Sequence, residues 1–533
     1  MAHLSKVFTE RKVDIPNRSG FDLSFENLLT MKCGTLVPVL CEEVIPNETF
    51  SLGHMTQVQL PPMATDFYGR VDFRLEAFFV PNRILWGGWQ NFWTMPVENP
   101  YGAPTARPTV TPSFKFSGHE SLAPLNRGTL ADYLGWKNGN DYATTAPVTG
   151  YSIPNILPFL AYHKIYDDWY RNSKIQKPLF VKDNAASVDE KLYTIGSFQN
   201  AIAYTTASAV FADGSNIWTL RQRNWAKDYY TTASLYPQGS SSPSSLSFDV
   251  TIEGEAGSGK FTIPALRTAN VLQRWLERNN IAGYRYADQI KAQYGVLPAD
   301  AIMDRPIFLG SSKFGIYNKS VYQSNASTDT DVASTNPFKS VGAKYATSNG
   351  FGEDSLIDNF TTSEHGYIIV LASIVPHAYY GTGLRRQLLH NKIGDFAIPL
   401  LQGVGEQKIY SSELTGENSA STFGYTLEHS EYKYHDDEVH GLLCDGQSLK
   451  SFCLQRSFKG NAAPSLGSAF LEIPTNFMDQ VTATSSDMSN YGAWADIYFN
   501  FKRVSPLSEY VIPTLGDLTN THKETIPVGG RQL

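Results

Sequence analysis

Four places in this 533-residue chain bring together residue types that can do chemistry. Leu157–Gln176, LPFLAYHKIYDDWYRNSKIQ, carries His163 and the adjacent carboxylates Asp167 and Asp168. On a helix, His163 and Asp167 share one face, as a metal-ligand pair or an acid–base pair would. Gly254–Lys260, GEAGSGK, satisfies the G-x-x-x-x-G-K pattern of a phosphate loop and follows the strand-like FDVTIE. GTGLRR (381–386) has part of a dinucleotide fingerprint, and His365 follows Glu364 at the start of an apolar run.

Each has a plainer reading. A phosphate loop needs Ser or Thr for magnesium and a helix aimed at the phosphates; here Phe261 takes the hydroxyl position and Pro264 delays any helix. GEAGSGK therefore reads as a Gly-rich surface turn. GTGLRR lacks the third glycine and reads as a turn with an exposed basic pair. His365 reads as a hydrogen-bonded residue at a strand entrance. No G-x-S-x-G and no H-E-x-x-H occurs. Cys33, Cys41, Cys444 and Cys453 form no Cys-x-x-Cys and have no histidine at zinc spacing, so they read as free thiols. In the opening stretch, Leu157, Leu160, Tyr162, Ile165, Tyr166, Trp169 and Tyr170 fall at helical spacing and make a broad aromatic face. Lys164–Asp168 and Asp167–Arg171 are i,i+4 pairs, and paired carboxylates titrate low, the opposite of what a general acid needs. The expectation is a packing helix with a salt-bridged polar face, and a chain with no catalytic residue, cofactor or metal.

The elements around that helix look like an assembling protein. Lys and Arg number 44 against 51 Asp and Glu, a net charge of −7, too acidic for a surface that binds nucleic acid throughout. Aromatics reach 13% while charged residues are only 18%, which suits large β surfaces or interfaces. No signal peptide or membrane span is visible, so the chain is expected to be soluble and made in the cytoplasm. Strand-like stretches fall in two groups, 35–80 and 366–504. VDFRLEAFFV (71–80) alternates, with Asp72, Arg74 and Glu76 on its polar face, and the strand-like FGYTLEHSEYKY (423–434) and AWADIYFNFKRV (493–504) alternate again; GYIIVLASIVP (366–376) is continuously apolar, as in a strand buried on both faces. Helices are expected at 157–173, 264–280 and RYADQIKAQY, and long loops at 97–130, 183–220, 236–262 and 317–360. For nucleic acid the best candidates are the basic arm, Lys6, Arg11, Lys12 and Arg18, and then Arg221, Arg223 and Lys227 interleaved with aromatics.

Several blocks resemble the major capsid proteins of the Microviridae, small single-stranded DNA phages, closest to the gokushovirus type. These are RSGFDLS (18–24), LVPVLCEEVIPNETF (36–50), FFVPNRILWGGWQNF (78–92), the 157–176 helix, AKDYYTTASLYPQ (226–238), the 266–296 helices with DRPIFLG (304–310), SEHGYIIVLASI (363–374), GEQKIY (405–410), FGY with EYKY (423–434) and ADIYFNFKRVSPLSEYVIPTLG (495–516). The resemblance implies a mainly β fold, an eight-stranded antiparallel jelly roll with long loop and helix insertions. It implies one capsid domain over 1–533: an N-terminal arm at 1–30, strands within 35–80 and 366–504, insertions at 81–360, and a C-terminal arm at 505–533. Sixty copies would form a T=1 icosahedral virion around a circular single-stranded DNA genome, assembled in the host bacterial cytoplasm with an internal scaffolding protein and a DNA pilot protein, and would meet a host cell-surface receptor through surface loops. Trp86, Trp89, Tyr166, Trp169, Tyr170 and Trp275 are then candidates for packing within or between subunits. The net acidity adds a small basic DNA-binding protein as partner. Two features depart from the family: 239–262 is short where a protrusion is usual, and Phe159-Leu160 replaces Phe-Arg in the helix. The competing reading, a secreted glycan-binding β-sandwich, lacks an export signal.

Overall fold

A computed structural model describes residues 10–93, 110–115, 125–136, 152–182, 193–194, 203–204, 211, 213–237, 263–283, 285–322, 344–399, 405–417, 421–459, 464–483, 486–509 and 521–527. Nine strands build the main sheet: β1 (Ser19–Asp22), β2 (Phe25–Met31), β3 (Val37–Val44), β4 (Thr49–Gln59), β5 (Val71–Pro81), β6 (Ile307–Tyr322), β7 (Lys344–Thr361), β8 (Gly366–Pro376) and β9 (Ala493–Ser505). Their order is β1/β2–β9–β4–β7–β6–β5–β8–β3, antiparallel throughout. β1 and β2 pair successive parts of β9 and act as one interrupted strand.

The ladder folds on itself at the β6–β7 hairpin. β6 pairs β7 from Ile316 to Tyr322, then pairs β5 from Ile316 back to Ile307. β7 likewise leaves β6 and runs along β4 from Asn349 to Thr361. The hairpin therefore sends one strand into each of two sheets, β2–β9–β4–β7 and β3–β8–β5–β6. Between them lie Phe50, Leu52, Ile497, Phe499 and Phe501 from the first and Phe73, Leu75, Ile368, Val370 and Ile374 from the second. This is the eight-stranded jelly roll. Within each sheet aromatic pairs line the interior, Phe50–Phe501 at 5.8 Å across β4 and β9 and Phe73–Phe314 at 5.1 Å across β5 and β6.

Two sequence expectations change. The strands are not confined to 35–80 and 366–504: β1 and β2 lie at 19–31, in the stretch expected to be an arm, and β6 and β7 come from 307–361, much of it read as a loop. The strand expected at 423–434 is only Thr422–Leu427, and it pairs Glu406–Tyr410 in a separate two-stranded sheet. β8 is buried at every position. Ile368, Val370, Ala372 and Ile374 enter the sandwich, while Tyr367, Ile369 and Leu371 pack a second core on its other side. That second core holds the inserted helix α1 (Leu157–Ile165). Further helices α2 (Ile263–Ala282) and α3 (Tyr286–Tyr294) lie where the apolar spacing put them. GSSSPSSLS (239–247) and GEAGSGK (254–260) lie outside the described residues.

The loop between β2 and β3 shows how tightly the layers meet. Gly34 has φ +69°, and a Cβ there would stand 2.6 Å from Ile473 Cβ and 2.7 Å from its carbonyl oxygen. Its N–H donates to Ile374 O (3.0 Å), and its carbonyl accepts Arg223 N–H (2.7 Å). Gly34→Ala should therefore cost about 2–3 kcal/mol, from a left-handed backbone and a contact that cannot relax. A denaturant titration showing an unchanged midpoint would refute this.

Candidate functional site: the junction of the inserted helix and the sheet

The 157–176 stretch does not run as one α-helix. α1 ends at Ile165, and Tyr166–Tyr170 form a π-turn closed by Arg171 N–H to Tyr166 O at 3.0 Å. The wider turn directs Trp169 and Tyr170 toward the sheet. Phe78 of β5 meets the Trp169 ring at 5.6 Å and the Tyr170 ring at 6.1 Å. Trp169 Nε1–H donates to Pro306 O at 2.9 Å, and the Arg305 guanidinium lies 4.4 Å from its ring centre. Tyr170 O–H donates to Glu76, which also takes both forks of Arg223 at 2.6 and 3.0 Å.

His163 is fully buried. Nε2–H donates to Ile217 O at 2.8 Å, and Nδ1 accepts Arg221 Nε–H at 3.1 Å. Burial, and then the Arg221 charge, push its pKa well below the ordinary imidazole value, so it is a neutral structural link. Both ion pairs expected from the spacing form: Arg171–Asp167 at 2.6 Å and Lys164–Asp168 at 3.0 Å. They are not a solvated face, however. Asp167 is 5% and Lys164 4% exposed, because loop residues cover them; Leu179 N–H, for example, donates to Asp167 Oδ1. The polar face of β5 is covered too, with Asp72 only 3% exposed.

The remaining candidates fall in different places. Arg221 is buried, bonded to Asp213 (2.8 Å) and Ser215 (2.5 Å) as well as His163. Arg18 is exposed and bonds Thr49 Oγ1 and the Val504 carbonyl; Lys227 is exposed. Arg11 and Lys12 lie on Glu10–Pro16, which pairs Thr521–Pro527, so the two arms join. Lys6 lies outside the described residues. Trp86 and Trp89 pack around Phe92 at 6.0 and 5.8 Å, Tyr166 is buried in the second core, and Trp275 is half-buried on α2. His365 stacks on Trp93 at 4.4 Å. The basic pair of GTGLRR is engaged rather than free: Arg385 holds Glu438, and Arg386 holds Glu413 at 2.9 Å. The four cysteines are free thiols. No described helix is long and apolar enough to cross a membrane, and no group of three or more His, Cys, Asp or Glu among the described residues is placed to hold a metal.

One carboxyl stands far from its usual range. Burial, and then the neighbouring Asp228 charge, raise Asp436 to about 7, and its Oδ1 is buried with no hydrogen-bond partner. A carboxyl raised in the fold binds its proton more tightly there than in the unfolded chain. Its contribution is therefore complete below about pH 4 and is lost as pH rises toward about 7. Asp436→Asn should raise the melting temperature at pH 8 and leave it nearly unchanged at pH 4. Equal shifts at both pH values would overturn the assignment.

A jelly roll overlaid by an aromatic insertion layer, with its histidine, carboxylates and arginines spent on internal links, is the architecture of a structural sandwich subunit. The chain belongs to the family described as "Capsid protein (F protein)", whose model matches residues 11–244 and 220–515. It is similar to capsid protein VP1 of Chlamydia phage 1, 25% identical over alignments covering 96% of this chain and 98% of that protein. VP1 of Bdellovibrio phage phiMH2K is 24% identical, and VP1 of Spiroplasma virus 4 is 23% identical, each covering 93% of this chain and 95% of the relative. The chain is thus a non-enzymatic capsid protein of the Microviridae type, a component of the virion.

Proposed function

We infer that sixty copies of this chain close a T=1 icosahedral shell around a circular single-stranded DNA genome, and that surface loops take part in host attachment. The observation that carries the reading is apolar surface a lone subunit would not leave in water. Within one short span, Tyr286, Tyr294, Val296, Leu297 and Ile302 are 60–79% exposed. Closed symmetry would bury such surface against neighbours. Arg221 and Arg223 hold the fold together, so DNA contact falls to Lys6, Arg11, Lys12, Arg18 and Lys227 on the arm and near the inserted helix. With a net charge of −7, the chain leaves most of the phosphate charge to a small basic partner protein. An internal scaffolding protein, a DNA pilot protein and a host receptor complete the partner set.

The test is to co-express the chain with the phage's other structural genes and to image the product while assaying nuclease-protected DNA and protein content. Uniform particles holding protected DNA and a small basic protein are expected. DNA-filled particles containing this chain alone would refute the basic partner. A soluble monomer would refute the shell.

A further inference from the structure

A groove of about 990 Å³ opens over the outer face of the β2–β9–β4 sheet, bounded by β3 and by residues 127–135. Its floor carries Leu28 and Trp494, 72% and 43% exposed. The register sets them in cross-strand rows: Leu28 opposite Asp496, which is opposite Gln57, and Thr30 opposite Trp494, which is opposite Gln59. Among the described residues four carboxylates line it, Glu26, Glu42, Asp132 and Asp496, against one cation, Arg127. None of the four is in an ion pair among the described residues.

Helix α2 carries the opposite surface. Arg267, Val271, Arg274, Arg278 and Ile281 recur at steps of four and three and are all exposed, Val271 by 67% and Ile281 by 63%. Its other side faces its own subunit. Asn279 and Asn280 are buried, and Asn280 donates to Glu406 at 2.7 Å. The three arginines have no carboxylate partner among the described residues. The stripe is about 21 Å long at 1.5 Å per residue. The β2 wall of the groove, Phe25 to Thr30, is about 17 Å long at 3.4 Å per residue.

We propose that α2 of a second copy of this chain docks in the groove, with Val271 and Ile281 covering Leu28 and Trp494 and Arg267, Arg274 and Arg278 facing Glu26, Asp132 and Asp496. The contact is heterologous, one patch meeting a different patch, the kind of contact that closes a ring when repeated about a symmetry axis of a shell. It rests on the reading of the chain as a shell subunit. Single-stranded nucleic acid fits the stripe less well, because aliphatic residues, not stacking aromatics, separate its arginines.

The experiment uses particles assembled from the full chain with the phage's other structural proteins. Arg274→Glu with Arg278→Glu should cut particle yield at least about tenfold, as should Glu26→Arg with Asp496→Arg, and combining the two sets should restore most of it. As a measurement independent of folding losses, particles carrying Val271→Cys and Gln57→Cys in a Cys41→Ser background, which removes the free thiol already lining the groove, should give disulfide-linked oligomers on oxidation, and either single variant in that background should not. Full yields from each reversal, no recovery in the combination, or no cross-link overturns the docking. So does normal particle yield with loss of protected DNA in the arginine variants alone, which would assign the stripe to the genome. Parent particles with unaffected variants are a failure of the docking only; absence of particles from the parent chain is a failure of the shell reading.

Discussion

Arg223→Met should lower the stability of the subunit by about 3–5 kcal/mol, because it strands a buried carboxylate. Glu76 sits on β5 with its side chain 15% exposed, and Arg223 approaches it with a side chain 13% exposed. Burial alone raises the Glu76 carboxyl; the Arg223 fork and the Tyr170 hydroxyl more than offset that and leave it below its ordinary value. Arg223 also donates to Ser373 of β8 at 3.0 Å and lies 5.2 Å from the Tyr170 ring centre. One guanidinium therefore ties two adjacent strands to the end of the inserted helix. Glu76→Met with Arg223→Met should be much less damaging than the sum of the single changes, since no charge is left unpaired. Chemical denaturation of the four proteins gives the cycle; simple additivity would show that the two residues do not act as a pair.

Arg221→Met should be similarly costly, about 3–5 kcal/mol. It would leave His163 Nδ1 buried without its donor and Asp213 without its cation, and it would remove a guanidinium lying 5.2 Å from the Tyr166 ring and 5.3 Å from that of Phe211. Arg221→Lys should recover little of the loss, because an ammonium cannot serve Asp213, Ser215 and His163 at once. Denaturation midpoints of the two variants provide the test, and a lysine variant as stable as the parent would contradict the geometry.

These contacts also show what was legible in the sequence. Period-two alternation found β5 and β9, and an unbroken apolar run found β8, because burial on one face or on both leaves those patterns. Helical spacing found α1 and both i,i+4 ion pairs. Alternation could not tell that the polar face of β5 lies under a second layer, since Asp72 and Glu76 look the same whether they meet water or arginine. β6 and β7 were hidden by their glycines. Gly310 and Gly352 interrupt any apolar alternation, yet a Cβ on Gly310 would stand 2.1 Å from Leu356 O and one on Gly352 2.1 Å from the Phe314 ring, so each marks close approach within a strand. Arg221 and Arg223 were recognisable as a basic–aromatic cluster, but their acidic partners Asp213 and Glu76 reach them only through the fold. The groove beside β2 joins residues from 25 to 496 and has no local pattern at all.

The strand order has a consequence for synthesis. Among the described residues, β2 pairs no other main strand than β9, whose first residue is made about 460 residues later. At ribosomal speeds of roughly 5–20 residues per second, the early strands wait about 25–90 s for the one that seals their sheet. A chain abandoned by the ribosome before that strand emerges has half a sandwich and no closed wedge to offer a neighbour. Closure of the sandwich is thus tied to nearly complete synthesis of the chain, through a strand at 493–505.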